Sequence, residues 1–291
     1  QRRPLVFVPI YIGYEKLLEG PSYIAEMAGK AKPRESLLGV LKSIWRIKRV
    51  FGKVHVNVGE PLLLADYLDA QHPAWREEAG DCPSVWSQRV TRRAAAELAR
   101  RLNAAAVVNP VNLLALALLA TPKHTADEQT LQRLIGHYQA LLSEAAYAPS
   151  SVACALDAPA IVAYGERLAF VERSADPLGD LIRAPARQAP LLTYFRNNVL
   201  HLFALPAVIA CLLSDNRHLD DARVAQAVRG IYSLMRSELF LRWPVDELPA
   251  ASAAVVRVFL ARGLLRRPPA SGALTAPEPL SPEFAELQLL G

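Results

Sequence analysis

Cysteine and histidine are the residue types best suited to redox, metal and general-base chemistry, and the chain has three cysteines and six histidines. Cys82, Cys154 and Cys211 lie far apart and form no C-x-x-C pair, so the sequence predicts neither a disulfide framework nor a zinc site and suits a reducing compartment. No second ligand follows His124 or His218 at helical spacing. We therefore predict no metal site and no cofactor.

Basic side chains are concentrated near the start of the chain. The whole chain carries 33 Lys and Arg against 28 Asp and Glu, but residues 1–60 alone hold eleven basic residues and five Glu, a net charge of +6. Such a field suits an anionic substrate or an anionic membrane surface. Projected as a helix from Arg34 onward, the segment places Lys42, Arg46, Arg49 and Lys53 in a narrow stripe opposite its apolar arc. We predict that this basic stripe contacts lipid headgroups or phosphate groups; an ordinary solvated helix face is the alternative.

The basic stripe lies between two predicted strands. The run Leu5–Ile12 is continuously apolar, typical of a strand buried on both faces of a parallel sheet, and Pro9 within it indicates an edge, a bulge or a strand end. Residues 54–58 alternate strictly, typical of a half-buried strand, and His55 lies opposite the valines as a predicted structural histidine. Strand, helices, strand is the order of an α/β layer, for which a right-handed crossover is expected.

The character of the chain changes after about residue 70, where Ala and Leu dominate and helices are predicted. The sequence divides into residues 1–70, an α/β portion, residues 71–265, a mostly helical domain, and residues 266–291, a Pro-rich tail. No apolar run reaches the roughly 20 residues of a spanning helix, which leaves weak monotopic membrane contact open. Because the chain has no initiator Met and begins at a strand-like run, we expect it to start inside a domain.

Four short stretches resemble one enzyme family. Residues 8–15, VPIYIGYE, are similar to the fourth conserved block of glycerol-3-phosphate acyltransferases, and residues 56–62, VNVGEPL, are similar to the strand and turn that close the sheet in the wider glycerolipid acyltransferase superfamily. Residues 191–198, LLTYFRNN, and 238–243, ELFLRW, resemble parts of the C-terminal region of the large bacterial enzyme. The four stretches follow the order of the family, so the resemblance covers most of the chain.

This resemblance implies a fold and an activity. The fold is the α/β end of an acyltransferase domain, a partial sheet with helices, followed by a mostly α-helical C-terminal domain. The activity is transfer of a fatty acyl group from acyl-CoA or acyl carrier protein to the sn-1 hydroxyl of glycerol 3-phosphate, in phospholipid biosynthesis, at the cytoplasmic face of the bacterial inner membrane. In such an enzyme Pro9, Tyr11 and Tyr14 are candidates to line the donor or acceptor pocket, although packing of a strand and turn also explains them.

The catalytic motif of the family is absent from this sequence. Its chemistry needs a histidine that takes a proton from the attacking hydroxyl and an aspartate that orients it, in a His-x4-Asp arrangement. The fifth position after each histidine holds, in chain order, Glu60, Glu77, Gln129, Leu142, Pro206 and Arg223. The family's Glu-Gly-Gly-Arg block for glycerol phosphate is also missing. We therefore predict no catalytic residue in this chain and no acyl transfer by the chain alone.

A helical nucleic-acid- or partner-binding module, of winged-helix or helix-turn-helix type, is the main alternative. A pI of about 9.2 and repeated helix–turn–helix patterns favour it. The basic residues lie away from the candidate recognition helices, however, and the pairs 127–128 and 220–221 put acidic groups where phosphates would approach. No nucleic-acid partner is predicted for this reason. A truncated reading frame without independent function is a third possibility.

Overall fold

The computed structural model describes residues 4–17, 52–78, 84–269 and 271–291. The helices of these ranges are α1 (Leu64–Gln71), α2 (Val85–Ala104), α3 (Pro110–Ala120), α4 (Glu128–Glu144), α5 (Ala158–Arg167), α6 (Ala189–Asn197), α7 (Leu200–Asp215), α8 (Asp221–Leu239), α9 (Leu248–Ala261) and α10 (Pro282–Leu290). The short strands are β1 (Val6–Phe7), β2 (Ile10–Tyr14), β3 (Val54–Val58), β4 (Leu62–Leu63), β5 (Val107–Val108), β6 (Thr125–Asp127), β7 (Val152–Ala153), β8 (Glu172–Ser174), β9 (Leu181–Arg183), β10 (His218–Leu219) and β11 (Leu274–Thr275).

Two apolar helices form the centre of the helical body. Helix α3 begins where Asn109 and Asn112 cap each other reciprocally and Pro110 occupies the first turn, and every residue from Pro110 to Leu118 is buried. Helix α7 is likewise buried along most of its length. A helix that is apolar on all sides belongs in a protein interior, and α3 contacts α4, α5 and α6 while α7 contacts α8, α9 and α10.

Amphipathic helices surround these two, and their ends are set by local chemistry. Asp127 accepts a hydrogen bond from the backbone of Thr130 and so caps α4. Asp220 caps α8 in the same way. Helix α8 ends at Phe240, whose φ of 49° is the left-handed conformation that commonly closes a helix.

The strands pair in small ribbons and not in one large sheet. Among the described strands, β1 pairs with β4, β2 with β3, β10 with β11, and β6, β9 and β8 form a three-stranded antiparallel sheet; β5 and β7 pair in parallel.

The run Leu5–Ile12 is divided by Pro9, which lies between β1 and β2, so of the three predicted alternatives (an edge, a bulge or a strand end) the structure shows a strand end. The expectation of a parallel pair with a right-handed crossover is wrong for β2 and β3, because Ile10 lies opposite Val58 in an antiparallel register. Burial on both faces is wrong as well: Ile10 is 51% and Ile12 52% exposed.

The end of the chain is part of the packed body: the last part of the predicted Pro-rich tail, residues 266–291, is a helix, Pro282–Leu290. Ser281 caps α10 by accepting from the backbone of Phe284, and Pro282 occupies the first turn. Leu287 and Leu290 are buried against α7. The Pro-rich composition hides this helix because its few apolar residues lie beyond the last proline.

In the part of the chain that the structure describes, no single helix has the length and apolar character to span a membrane. One pair meets those criteria jointly, Ala186–Asn197 with Leu200–Asp215, and it is bent by 91°.

Candidate functional site

The hairpin of β2 and β3 has two chemically different faces. Its inner face, which packs against α2 and the helical body, is formed by Pro9, Tyr11, Gly13, Glu15, His55 and Asn57. Its outer face is formed by Ile10, Ile12, Tyr14, Val54, Val56 and Val58, which are 39–63% exposed. Alternation along both strands separates the faces. The inner face carries the polar groups and the outer face is apolar.

The three candidate pocket residues do not share a face. Pro9 is buried, and its carbonyl accepts a hydrogen bond of 2.8 Å from the backbone of Gly59. Tyr11 is half-buried on the same face, where burial, followed by the nearby Tyr194, raises its pKa to about 12. Tyr14 lies on the outer face. Pro9 and Tyr11 therefore lie in the contact region between the β2–β3 hairpin and the helical body (the joint). Only Tyr14 lies on the exposed apolar face.

Glu15 ties the hairpin to the helical body. Its side chain is 1% exposed, and one carboxylate oxygen accepts from the backbone N–H of Lys53 at 2.5 Å and from the hydroxyl of Tyr164. The other oxygen accepts from Nε2 of His55 at 2.9 Å. Burial, followed by the bond to Glu15, raises the pKa of Tyr164 to about 12, so its hydroxyl stays a donor. His55 has a hydrogen-bond partner, as predicted for a structural histidine.

Further hydrogen bonds fix the same joint. The side-chain amide of Asn57 donates to the carbonyls of Ala105 and Ser150, at 2.9 and 2.8 Å. The amide of Asn109, next to the start of α3, donates to the carbonyl of Tyr14 at 3.3 Å. Buried polar groups are normally satisfied in this way, and the hairpin is thereby held in one register on the body.

A cavity of about 240 Å³ lies at this joint. Its polar lining comes from Glu15, Lys53, His55, Asn109, Cys154 and Tyr164, with apolar residues of β5 and β7 between them. Burial raises the pKa of the Cys154 thiol, which keeps it protonated and a poor nucleophile. The cavity thus offers hydrogen-bonding groups and one ammonium group, but no activated nucleophile among the described residues.

Only one residue of the predicted basic stripe lies in the described part of the chain. Lys42, Arg46 and Arg49 lie outside the described residues. Lys53 precedes β3, is exposed, and lines the cavity at the joint. Contact of its ammonium group with a phosphate or a lipid headgroup stays a prediction.

Two histidines, His137 and His201, are buried in the helical body. His137 donates from Nε2 to Glu286 at 2.8 Å and accepts at Nδ1 from Arg262 at 3.1 Å, so both ring nitrogens are used. Burial lowers its pKa. His201 donates to the carbonyl of Asn103 at 3.0 Å, and burial lowers its pKa to about 4. Neither ring is placed to take a proton from a substrate.

Within the described ranges, no group of three or more His, Cys, Asp or Glu side chains is arranged to hold a metal ion.

The joint itself was not predicted as a site: Glu15, Asn109 and Tyr164 were not singled out. The signal available in the sequence is the inward phase of Glu15, which follows Pro9, Tyr11 and Gly13 at alternate positions of the strand.

The comparisons with known proteins agree on one family. Residues 23–291 match the model for the glycerol-3-phosphate acyltransferase C-terminal region. Proteins named glycerol-3-phosphate acyltransferase from Pseudomonas fluorescens (strain SBW25), Pseudomonas aeruginosa (strain UCBPP-PA14) and Pseudomonas syringae pv. tomato (strain DC3000) are 39%, 38% and 37% identical to 99% of this chain. The matches cover 34%, 35% and 35% of those proteins, so the chain spans about a third of their length.

The match extends over most of the chain, and the chain belongs to the glycerol-3-phosphate acyltransferase C-terminal region family. The resemblance stated from four short stretches is confirmed. The first of those stretches, residues 8–15, precedes the matched region of the family model but lies within the alignments to the relatives. These matches do not favour the nucleic-acid-binding alternative.

Proposed function

We propose that this chain is the C-terminal part of a glycerol-3-phosphate acyltransferase, which transfers a fatty acyl group from acyl-CoA or acyl carrier protein to the sn-1 hydroxyl of glycerol 3-phosphate in phospholipid biosynthesis. The family match over residues 23–291 is the observation that carries this proposal. The hairpin geometry supports it: the polar inner face is anchored to the body, while the outer face presents six exposed side chains, all of them apolar or aromatic.

In this enzyme the chain supports the sheet and helices of the acyltransferase domain. The outer face of the β2–β3 hairpin packs against the part of the longer enzyme that this chain does not span, as the α/β end of an acyltransferase domain requires. A contiguous apolar patch of this kind marks an interaction surface. The proposed general base belongs to that other part, because the six histidines here lack the His-x4-Asp spacing.

Attachment of the enzyme to an anionic membrane surface is part of the proposal. The net charge of +6 over residues 1–60 supports attraction to an anionic leaflet, at about 1 kcal/mol for each basic residue near the surface. The cytoplasmic face of the bacterial inner membrane is the proposed location, with peripheral or monotopic attachment. The negative charge on α4 and α8, at Glu128 and Asp221, argues against a nucleic-acid partner.

A chimeric enzyme tests the proposal. The C-terminal third of the Pseudomonas fluorescens relative is replaced by this chain, and transfer of labelled acyl groups from palmitoyl-CoA to glycerol 3-phosphate is measured. We expect activity from the chimera and none from the 291-residue chain alone. Ile12→Glu in the chimera should abolish activity, because it places a charge in the proposed interface, at a cost of several kcal/mol when unpaired.

Leu178→Glu is the matched control, since Leu178 is 98% exposed and lies outside the hairpin. Its chimera should keep full activity. The isolated chain with Ile12→Glu should fold as the parent does, because the substituted side chain is half exposed there. Acyl transfer by the isolated chain, or equal activity of the two Glu chimeras, would contradict the proposed division of roles.

A further inference from the structure

A groove lies between helices α8 and α9. It shares no lining residue with the cavity at the hairpin joint. Its volume is about 420 Å³, within the range of small-molecule sites, which is about 300–1,000 Å³. Val224, Val256 and Leu260 provide large apolar side chains. Ala253, at the rim, is exposed and short, which leaves the groove open. The apolar lining suits an apolar chain better than a polar ligand.

Ser252 gives the groove an unsatisfied polar group. The residue is 6% exposed and lines the groove, and its hydroxyl has no hydrogen-bond partner among the described residues. Buried hydroxyl groups are normally paired, by protein, water or ligand. A ligand with an ester, carboxyl or hydroxyl oxygen next to its apolar chain would provide the missing partner.

The charges at the rim favour an anionic ligand. Arg267 is neutralised by Asp221, through two hydrogen bonds of 2.9 Å. Arg257 also lines the groove, and it makes no ion pair with any residue that the structure describes. One uncompensated guanidinium therefore remains beside the apolar wall, and guanidinium groups bind carboxylates and phosphates.

We propose that this groove between α8 and α9 binds a single-chain anionic lipid, with the acyl chain along Val224, Val256 and Leu260 and the anionic head at Arg257. A free fatty acid and a lysophosphatidate each have one acyl chain and one anionic group, so both fit this description. The site is distinct from the joint that the proposed acyltransferase function uses. It does not depend on that function, because binding is a property of this chain alone.

Binding is measured by isothermal titration of the 291-residue chain with oleate, 1-oleoyl-lysophosphatidate and uncharged 1-oleoylglycerol, each below its micelle-forming concentration. We expect saturable binding of both anionic lipids, and their relative affinities identify the preferred source. Ala253→Phe fills the groove and should weaken binding of all three lipids at least about tenfold. Arg257→Gln should weaken the anionic lipids about tenfold and leave 1-oleoylglycerol unchanged, because it removes only the charge-assisted contact.

Two exposed substitutions serve as matched controls. Ala250→Phe adds the same ring to α9 outside the groove, and Arg229→Gln removes a cation from α8 outside it. Both variants should bind as the parent does. Absence of saturable binding by the parent chain, or equal weakening by Ala253→Phe and Ala250→Phe, would overturn the proposal. Activity of the chimeric enzyme is a separate measurement, so failure here and failure of the proposed function remain distinguishable.

Discussion

The buried carboxylate of Glu15 should stabilise the packing of the hairpin on the helical body by several kcal/mol, and Glu15→Gln tests this. The carboxylate accepts three hydrogen bonds in a buried position, from a backbone N–H, an imidazole and the hydroxyl of Tyr164. An amide of the same shape keeps only one acceptor oxygen and turns its NH₂ group toward a donor. A hydrogen bond to a charged group contributes about 1.5–3 kcal/mol, so the loss of one bond and the new mismatch should cost about 2–4 kcal/mol.

A double-mutant cycle isolates the contact between Glu15 and Tyr164. Tyr164→Phe removes one donor and should cost about 1–2 kcal/mol, toward the lower end because Tyr164 is only partly buried. The double variant should be less destabilised than the sum of the two, with a coupling energy of about 1–2 kcal/mol. Urea unfolding followed by circular dichroism gives the free energies of unfolding. The backbone amide of Gly59 donates a hydrogen bond to the carbonyl of Pro9. Its hydrogen-exchange rate therefore reports how often the hairpin separates from the body.

Glu60→Gln is the matched control for this series. Glu60 lies on the same hairpin, is 79% exposed and reaches Arg101 only at 3.6 Å, so its removal should cost less than about 0.5 kcal/mol. A coupling energy near zero between positions 15 and 164 would show that the hydroxyl does not depend on the carboxylate. An effect of Glu15→Gln as small as that of Glu60→Gln would refute the reasoning as a whole.

Two further predictions concern the helical body. His201 has a pKa of about 4 in the folded chain against about 6.5 in an unfolded one, so the unfolded state binds more protons and stability is lost as pH falls through this window. The loss between pH 7.5 and pH 4.5 should be about 2–3 kcal/mol, and the pH dependence of urea unfolding should be smaller by that amount in His201→Gln. Gly165→Ala should destabilise the chain by about 1–3 kcal/mol, because its new methyl group would overlap a leucine side chain of α3, whereas Gly230→Ala meets open space in the middle of α8 and should stabilise by about 0.5–1 kcal/mol, both measured by thermal unfolding. Equal pH dependence of the two His201 forms, or stabilisation by both glycine substitutions, would contradict these assignments.

Local patterns predicted the elements of this fold better than their surroundings. The alternation of residues 54–58 correctly predicted a half-buried strand, and a strand end at Pro9 was one of the three predicted alternatives. The apolar run Leu5–Ile12 led to the wrong environment, because an apolar side chain on a face left open in this chain has the same pattern as one inside a parallel sheet. Periodicity reports which residues are apolar and does not report what covers them.

The candidate joint depended on contacts that no local pattern contains. Glu15 and Tyr164 are separated by 149 positions, and Asn57 and Ser150 by 93. A charged residue directly after an apolar strand is ordinarily read as a solvated end. Lys53 and His55 of the hairpin donate to Glu15, and the helical body adds the third donor, the hydroxyl of Tyr164. The helix α10 was missed for a related reason: its burial depends on α7, which is far away in the sequence.

The distribution of exposed apolar side chains links the fold to the proposed function. Of the 23 large hydrophobic residues exposed in the described ranges, 11 lie between Leu5 and Leu63, where the structure describes only 25 residues. Scattered exposure is ordinary, but this concentration lies on ribbons whose opposite, polar face is held by specific hydrogen bonds. Random loosening of the chain would expose both faces alike. A fixed inner face beside an open apolar outer face is instead the arrangement that the proposed interface requires.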